Sequence, residues 1–223
     1  HEADYISPYA TIINNQLSNY PNKELSGVGV TWQFCRYLDK LLQRNNADNY
    51  LDLVALGNCG DMMSLQSIET KHLINKGFKQ VKNPFFYYMA EKNSFSLGSS
   101  LTPMGVAFYI VPFVNAMQRS GTLEEKELLF KSMLQYKAFD IIPSTKRGCK
   151  GQTEKLVEQA VRTATNVKNR QTRAQDDGMN FLERKIEEEH LLNHKVLLFL
   201  LKPGEVDKNI AGLIANKMMA KNY

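Results

Sequence analysis

The sequence lacks the signatures that would assign it to the commonest nucleotide and hydrolase classes. There is no Gly-x-x-x-x-Gly-Lys-Ser/Thr loop, no Gly-x-Ser-x-Gly elbow and no glycine fingerprint following a strand. P-loop chemistry, serine-hydrolase chemistry and dinucleotide binding are thereby set aside. The stretch Arg147-Gly-Cys-Lys-Gly-Gln-Thr153 has the residue types of a phosphate loop but not their order. Cysteine is scarce: Cys35, Cys59 and Cys149 are far apart, giving neither a zinc pair nor an even disulfide framework. A reducing, cytoplasmic setting is the simple expectation. His190 and His194 stand four apart, yet no Glu follows the first and no third ligand is near, so zinc is not expected there. No apolar run reaches the ~18–20 residues that span a bilayer. The longest candidate, residues 196–201, is strand-sized, and no membrane partner is expected. The polar opening His1-Glu2-Ala3-Asp4 has no signal-peptide character. Internal repeats and low-complexity segments are absent as well.

What is present is ordinary globular material of 223 residues, 43% hydrophobic and 23% charged. That suffices for one sizeable core or two unequal lobes. The net charge of +5 hints at a polyanionic partner. Its distribution says more: between Lys137 and Arg173 nine Lys/Arg face three Asp/Glu, a local +6. An acidic stretch follows, with Asp176, Asp177, Glu183 and Glu187 to Glu189. This asymmetry suits a surface that tracks phosphates, the bland alternative being a solvated helix face of mixed charge.

Periodicity predicts mostly helices. Residues 10–14 read as a short strand, 26–44 as an amphipathic helix, 50–56 as a short buried helix with a strand as the alternative, and 64–78 as another helix. Asn83-Pro84 opens a helix carrying Phe85, Phe86, Tyr87, Tyr88 and Met89, read as a core helix rather than a base-stacking platform. Thr122-Leu-Glu-Glu125 is a capping box that begins a helix to about residue 136. Residues 141–151 read as loop and 152–191 as one long helix, with an apolar stripe of Leu156, Val157, Ala160, Val161, Ala164 and Val167 continued by Met179, Leu182 and Ile186; 195–201 read as a buried strand and 209–221 as a final helix. Gly178 falls within the long helix, where a kink or a packing crossing is expected.

The apolar stretch Tyr50-Leu-Asp-Leu-Val-Ala-Leu-Gly-Asn-Cys-Gly-Asp61 ends on an acid. A lone buried carboxylate is costly unless paired or bound to a metal. The alternative is that Asp61 caps the following helix.

The ordered set of His1-Glu2, Pro8, Asn14, Gly27/Gly29, Gly57…Asp61 and Pro112…Asn115…Arg119 resembles the DHH phosphoesterase superfamily, and within it the RecJ-type exonucleases specific for single-stranded DNA. The opening His1-Glu2 resembles the last His of the Asp-His-His motif, so the chain reads as starting inside that motif. Residues 50–61 resemble the motif whose Asp is a metal ligand. Pro112-Phe-Val-Asn-Ala-Met-Gln-Arg119 resembles the Pro-Arg-x-Asn-Ala-x-Gly-Arg signature of the RecJ branch. Asn169-Arg-Gln-Thr-Arg173 resembles the start of a connecting helix, and residues 208–216 the first helix of a downstream nucleic-acid-binding domain. Two departures stand out: Phe113 where the family has Arg, and Gln118 where it has Gly. One phosphate-contacting cation is therefore expected to be missing.

The resemblance implies a helix-dominated α/β fold. Residues 1–150 would be the later part of a DHH catalytic domain, 151–191 a long connecting helix and 192–223 the start of a DHHA1-type domain. It implies Mn²⁺- or Mg²⁺-dependent 5′ to 3′ hydrolysis of single-stranded DNA, with Asp61 a metal ligand and His1 in the same site, hydrogen-bonded to the scissile phosphate or beside the metals. Asn115, Arg119, Arg170 and Arg173 would contact the nucleic acid. The 223 residues alone are expected to be inactive, since one Asp and one His cannot assemble a two-metal site, and exposed apolar surface would favour dimers. Two rivals are a non-catalytic nucleic-acid-binding or assembly module and a DHH phosphoesterase acting on short oligonucleotides or cyclic dinucleotides.

Overall fold

The computed structural model describes residues 7–17 and 19–221. Among them the elements are helices α1 (Gly27–Leu41), α2 (Leu51–Gly60), α3 (Ile68–Lys79), α4 (Pro84–Lys92), α5 (Ser94–Leu97), α6 (Pro103–Tyr109), α7 (Val111–Ser120), α8 (Leu123–Met133) and α9 (Gln135–Ala138). Strands β1 (Ile141–Pro143) and β2 (Thr153–Lys155) follow, then α10 (Leu156–Glu188) and α11 (Ala211–Ala220). The chain divides into two compact units, residues 1–111 with 133–139, and residues 112–132 with 140–223.

In the first unit α2 is the central helix. Seven of its ten residues are buried, from Leu51 to Cys59, which is the signature of a helix packed on several sides rather than one. It packs on α3 and α1, and Leu25, Trp32, Ala47, Leu51, Val54 and Leu73 form one apolar cluster. The Trp32 indole N–H donates to the Ala47 carbonyl at 3.1 Å, so the ring is buried without an orphaned donor. A polar network covers one flank: Tyr20 Oη and Gln33 Nε2 both donate to Glu69 Oε1 at 2.6 Å, and Asn22 Nδ2 donates to Glu69 Oε2 at 2.8 Å. Burial and the neighbouring Glu69 push the Tyr20 phenol up to about 12. Asn83 caps α4 by accepting from the Phe86 N–H, with Pro84 in the first turn, and Phe85, Phe86 and Met89 are fully buried. Phe85 and Phe86 are thus core as expected, whereas Tyr87 is half-exposed and Tyr88 only partly buried.

In the second unit α10 runs unbroken for 33 residues, about 50 Å at 1.5 Å per residue. Its buried stripe, Leu156, Val157, Ala160, Val161, Ala164 and Val167, then Met179, Leu182 and Ile186, is the one read from the sequence. Gly178 is a packing crossing: a Cβ there would stand 2.6 Å from Ile214 Cδ1 of α11.

Three expectations are corrected. Residues 10–14 form no strand, and 195–201 form none either. In the latter the alternation is real, since Leu197, Phe199 and Leu201 pack on the α10–α11 cluster while Val196, Leu198 and Leu200 are exposed. A strand also needs a pairing partner, and among the described residues the sheet is β1 with β2 alone. Conversely, the expected loop 141–151 is part of an antiparallel hairpin, with Ile141 opposite Lys155 and Pro143 opposite Thr153.

Candidate metal and nucleic-acid sites

Two carboxylates belong to α2 and its ends. Asp52, in the first turn, is buried, and its Oδ2 accepts from the Lys82 N–H at 2.7 Å and the Asn83 N–H at 2.6 Å. It ties the start of α4 to α2. Sequence reasoning missed it, although an acid between Leu51 and Leu53 was the available signal.

Asp61 follows the last residue of α2, its N–H donating to the Gly57 carbonyl at 2.9 Å. The next residue, Met62, turns the chain with φ +52°. Asp61 is therefore exposed rather than buried, which corrects the expectation drawn from the apolar run. Nor does it cap the following helix, a role taken by Ser67, which accepts from the Thr70 N–H. Among the described residues the Asp61 carboxylate makes no hydrogen bond or ion pair. An anion at a helix carboxyl end faces the negative pole of the helix dipole. A free carboxylate placed there gains from a cation.

The turn that carries Asp61 is braced from below. Asn58 is fully buried and its Oδ1 accepts from the Ser26 N–H at 3.0 Å, holding the end of α2 against the start of α1. The Met63 N–H returns to the Asn58 carbonyl at 3.0 Å, and the Ser64 N–H donates to Glu24 Oε2 at 3.1 Å. Asn58 was also missed; an amide inside an apolar helix was its only sign.

His1, expected beside Asp61, lies outside the described residues. Among the described residues no group of three His, Cys, Asp or Glu could hold a metal ion. The described side chains therefore do not by themselves fit a divalent cation.

In the second unit Asn115 and Arg119 stand one turn apart on the exposed face of α7, while Ala116 and Met117 are fully buried. Among the described residues neither Asn115 nor Arg119 has a hydrogen bond or ion pair, so Arg119 is not a structural salt bridge. Phe113 is half-buried. Arg170, on α10, is engaged: it donates to Glu125 at 2.8 and 3.2 Å and to the Ser120 carbonyl at 3.0 Å. Arg170 holds the Glu125 carboxyl below its ordinary value. Glu125 also closes the capping box, accepting from the Thr122 N–H at 2.8 Å. Gln171 Nε2 donates to Ser120 Oγ at 3.0 Å. The end of α7 that bears Arg119 is thus fixed to α8 and α10, an arrangement the charge pattern did not disclose. Arg173 is exposed and carries no such pair among the described residues.

No family model matches the chain. It is 36% identical over its whole length to the SPbeta prophage-derived protein YorK of Bacillus subtilis strain 168, named a single-strand DNA-specific exonuclease, and equally to the YorK of Bacillus phage SPbeta. The chain spans 38% of the length of each. In fold it matches a crystal structure of exonuclease RecJ bound to manganese, with a TM-score of 0.73 at 18% identity, covering 99% of this chain and 50% of that one. RecJ of Thermus thermophilus in complex with Mg²⁺ gives 0.64 at 18% identity, covering 91% of this chain and 28% of that one. The likeness to these structures establishes the shared fold.

Proposed function

We propose that this chain, RecJ-like in sequence and in fold, serves the hydrolysis of phosphodiester bonds in single-stranded DNA as a 5′ to 3′ exonuclease. The observation that carries the reading is kinship along every part of the chain with proteins named single-strand DNA-specific exonucleases. Manganese and magnesium in the RecJ structures make a divalent cation the expected cofactor. Asp61 is the residue we assign toward it. A bound divalent ion would neutralise charge on the phosphate and supply hydroxide; its remaining ligands are not among the described residues.

His1 is assigned to the scissile phosphate, and Asn115, Arg119 and Arg173 to the backbone of the bound strand. Contacts of that kind position the nucleic acid without reading its sequence. Arg170, committed to Glu125, would act by fixing the helix end that carries Arg119. In this reading α10 is the link toward a nucleic-acid-binding domain. The 223 residues on their own are expected to bind but not to degrade. Exposed apolar side chains of α1, among them Tyr37 and Leu41, support self-association of the isolated chain.

The test is Asp61→Asn in the nuclease that contains these residues, assayed on end-labelled single-stranded DNA with Mn²⁺. Loss of turnover with an unchanged fold supports the assignment, and undiminished turnover removes Asp61 from the reaction. Efficient Mn²⁺-dependent digestion by residues 1–223 alone would overturn the expectation of inactivity.

A further inference from the structure

We infer that the tip of the β1–β2 hairpin, residues 144–152, is a contact surface for the phosphate backbone of single-stranded DNA. The inference rests on the substrate reading given above. Lys146, Arg147 and Lys150 crowd this tip, all exposed, and among the described residues none has a hydrogen bond or ion pair from its side chain. No Asp or Glu lies between Ile141 and Thr153.

The acid nearest in the hairpin, Glu154, is already committed. Arg162 of α10 grips it with both terminal nitrogens, Nη1 at 2.5 Å and Nη2 at 2.6 Å. The same Nη2 donates to Thr145 Oγ1 at 3.1 Å, and the Thr145 N–H donates to Glu154 Oε1 at 3.3 Å. A two-pronged Arg–carboxylate pair is among the stronger polar contacts. Here it does two things at once: it moors the base of the hairpin to the long helix, and it engages the hairpin's own acid away from the charge at the tip.

The tip itself is closed by its own backbone. The Ser144 N–H donates to the Gln152 carbonyl at 2.9 Å, Cys149 N–H to Lys146 at 3.1 Å and Gln152 N–H to Cys149 at 3.0 Å. Gly148 and Gly151 take left-handed φ values of +81° and +83°, and nothing lies within 4 Å of where a Cβ would stand on either. The result is an open turn with three cations and no side-chain bulk over its glycines. It holds no aromatic residue, so base stacking is not its mode. Cations on an open backbone turn suit a chain of phosphates whatever its sequence.

The experiment is fluorescence anisotropy of residues 1–223 with a labelled oligothymidylate across a salt series. Three proteins are compared: the unmodified chain, the variant Lys146→Ala/Arg147→Ala/Lys150→Ala, and the control Lys40→Ala/Lys71→Ala/Lys79→Ala, which removes equal charge from exposed helix positions of the first unit. Matching circular dichroism and urea midpoints establish that all three are folded. The hairpin variant should bind on the order of tenfold more weakly, and its log–log salt slope should fall by about 2, at ~0.7 per lost single-strand phosphate contact. The control should match the unmodified chain. If the chain binds but the hairpin variant is indistinguishable from the control, the inference is overturned while the substrate reading stands. If the unmodified chain shows no binding even at low salt, the substrate reading fails and the inference with it.

Discussion

At the amino end of α2 a carboxylate is buried and gripped by two backbone N–H groups of a neighbouring segment; at the carboxyl end another stands in solvent with no protein partner among the described residues. Asp52 and Asp61 share a helix and differ in almost everything that decides what an acid does. Asp52 is spent on structure, since its neighbours satisfy it and would be orphaned without it. Asp61 is held only through its backbone and leaves its charge available. The same division separates Arg170, bound to Glu125 and Ser120, from Arg119, which is exposed and unpaired among the described residues. In each pair the residue with partners builds the site, and the one without them is free to meet a ligand.

The sharpest way to break this comparison is to exchange the effects. If the metal role proposed for Asp61 holds, Asp61→Asn should lower Mn²⁺-dependent turnover of single-stranded DNA by at least about a hundredfold, the scale of a lost metal ligand. It should shift the urea unfolding free energy by no more than about 0.5 kcal/mol, as for other surface substitutions. Asp52→Ala should do the reverse in stability, costing about 3 kcal/mol because one buried and one partly buried N–H group lose a charged acceptor. A urea titration reads both. If Asp61→Asn unfolds the chain and Asp52→Ala does not, the division of roles is wrong.

The arginines give smaller effects. Arg119→Ala should weaken single-strand binding by roughly 1–3 kcal/mol, the range for a hydrogen bond to a charged group, with stability unchanged. Arg170→Ala should cost stability by about 0.5–1 kcal/mol, since its pair with Glu125 is half-exposed and screened. Binding titrations beside thermal melts separate the two.

The smallest effect concerns pH. Arg162 holds the Glu154 carboxyl down to about 2 from an ordinary 4.5. A carboxyl depressed in the folded state stabilises fully above its unfolded value and loses that contribution as pH falls through the folded one. Stability conferred by this pair should therefore be complete above pH 4.5 and fade toward pH 2. Glu154→Gln should flatten that part of the melting-temperature profile, and an unaltered profile would show that the pair contributes nothing.

Much of the helical frame is legible in the sequence because long amphipathic segments repeat their apolar positions many times. The stripe of α10 and the Thr122–Glu125 capping box are examples, and Pro84 marks the start of α4. The hairpin is not legible, since three-residue strands are too short for alternation to register, and Pro143, Gly148 and Gly151 speak for a loop. Residues 195–201 mislead in the opposite direction: the alternation is there, and pairing is a property of a neighbour. At the candidate site the resemblance picks out Asp61, but its exposure depends on where α2 stops. The burial of Asp52 depends on Lys82 and Asn83, about thirty residues away, and no local pattern carries that information.

Residues 195–201 also have a bearing on handling. Their inward side chains are seated, while Val196, Leu198 and Leu200 are 75%, 84% and 89% exposed, on a segment outside any helix or sheet. Bare aliphatic groups beside unlaced backbone are a template on which another polypeptide can zip. A lysine in place of Leu198 would put a charge at the centre of that strip. It should raise the concentration at which the purified chain stays clear, and leave the seated side of the strip untouched.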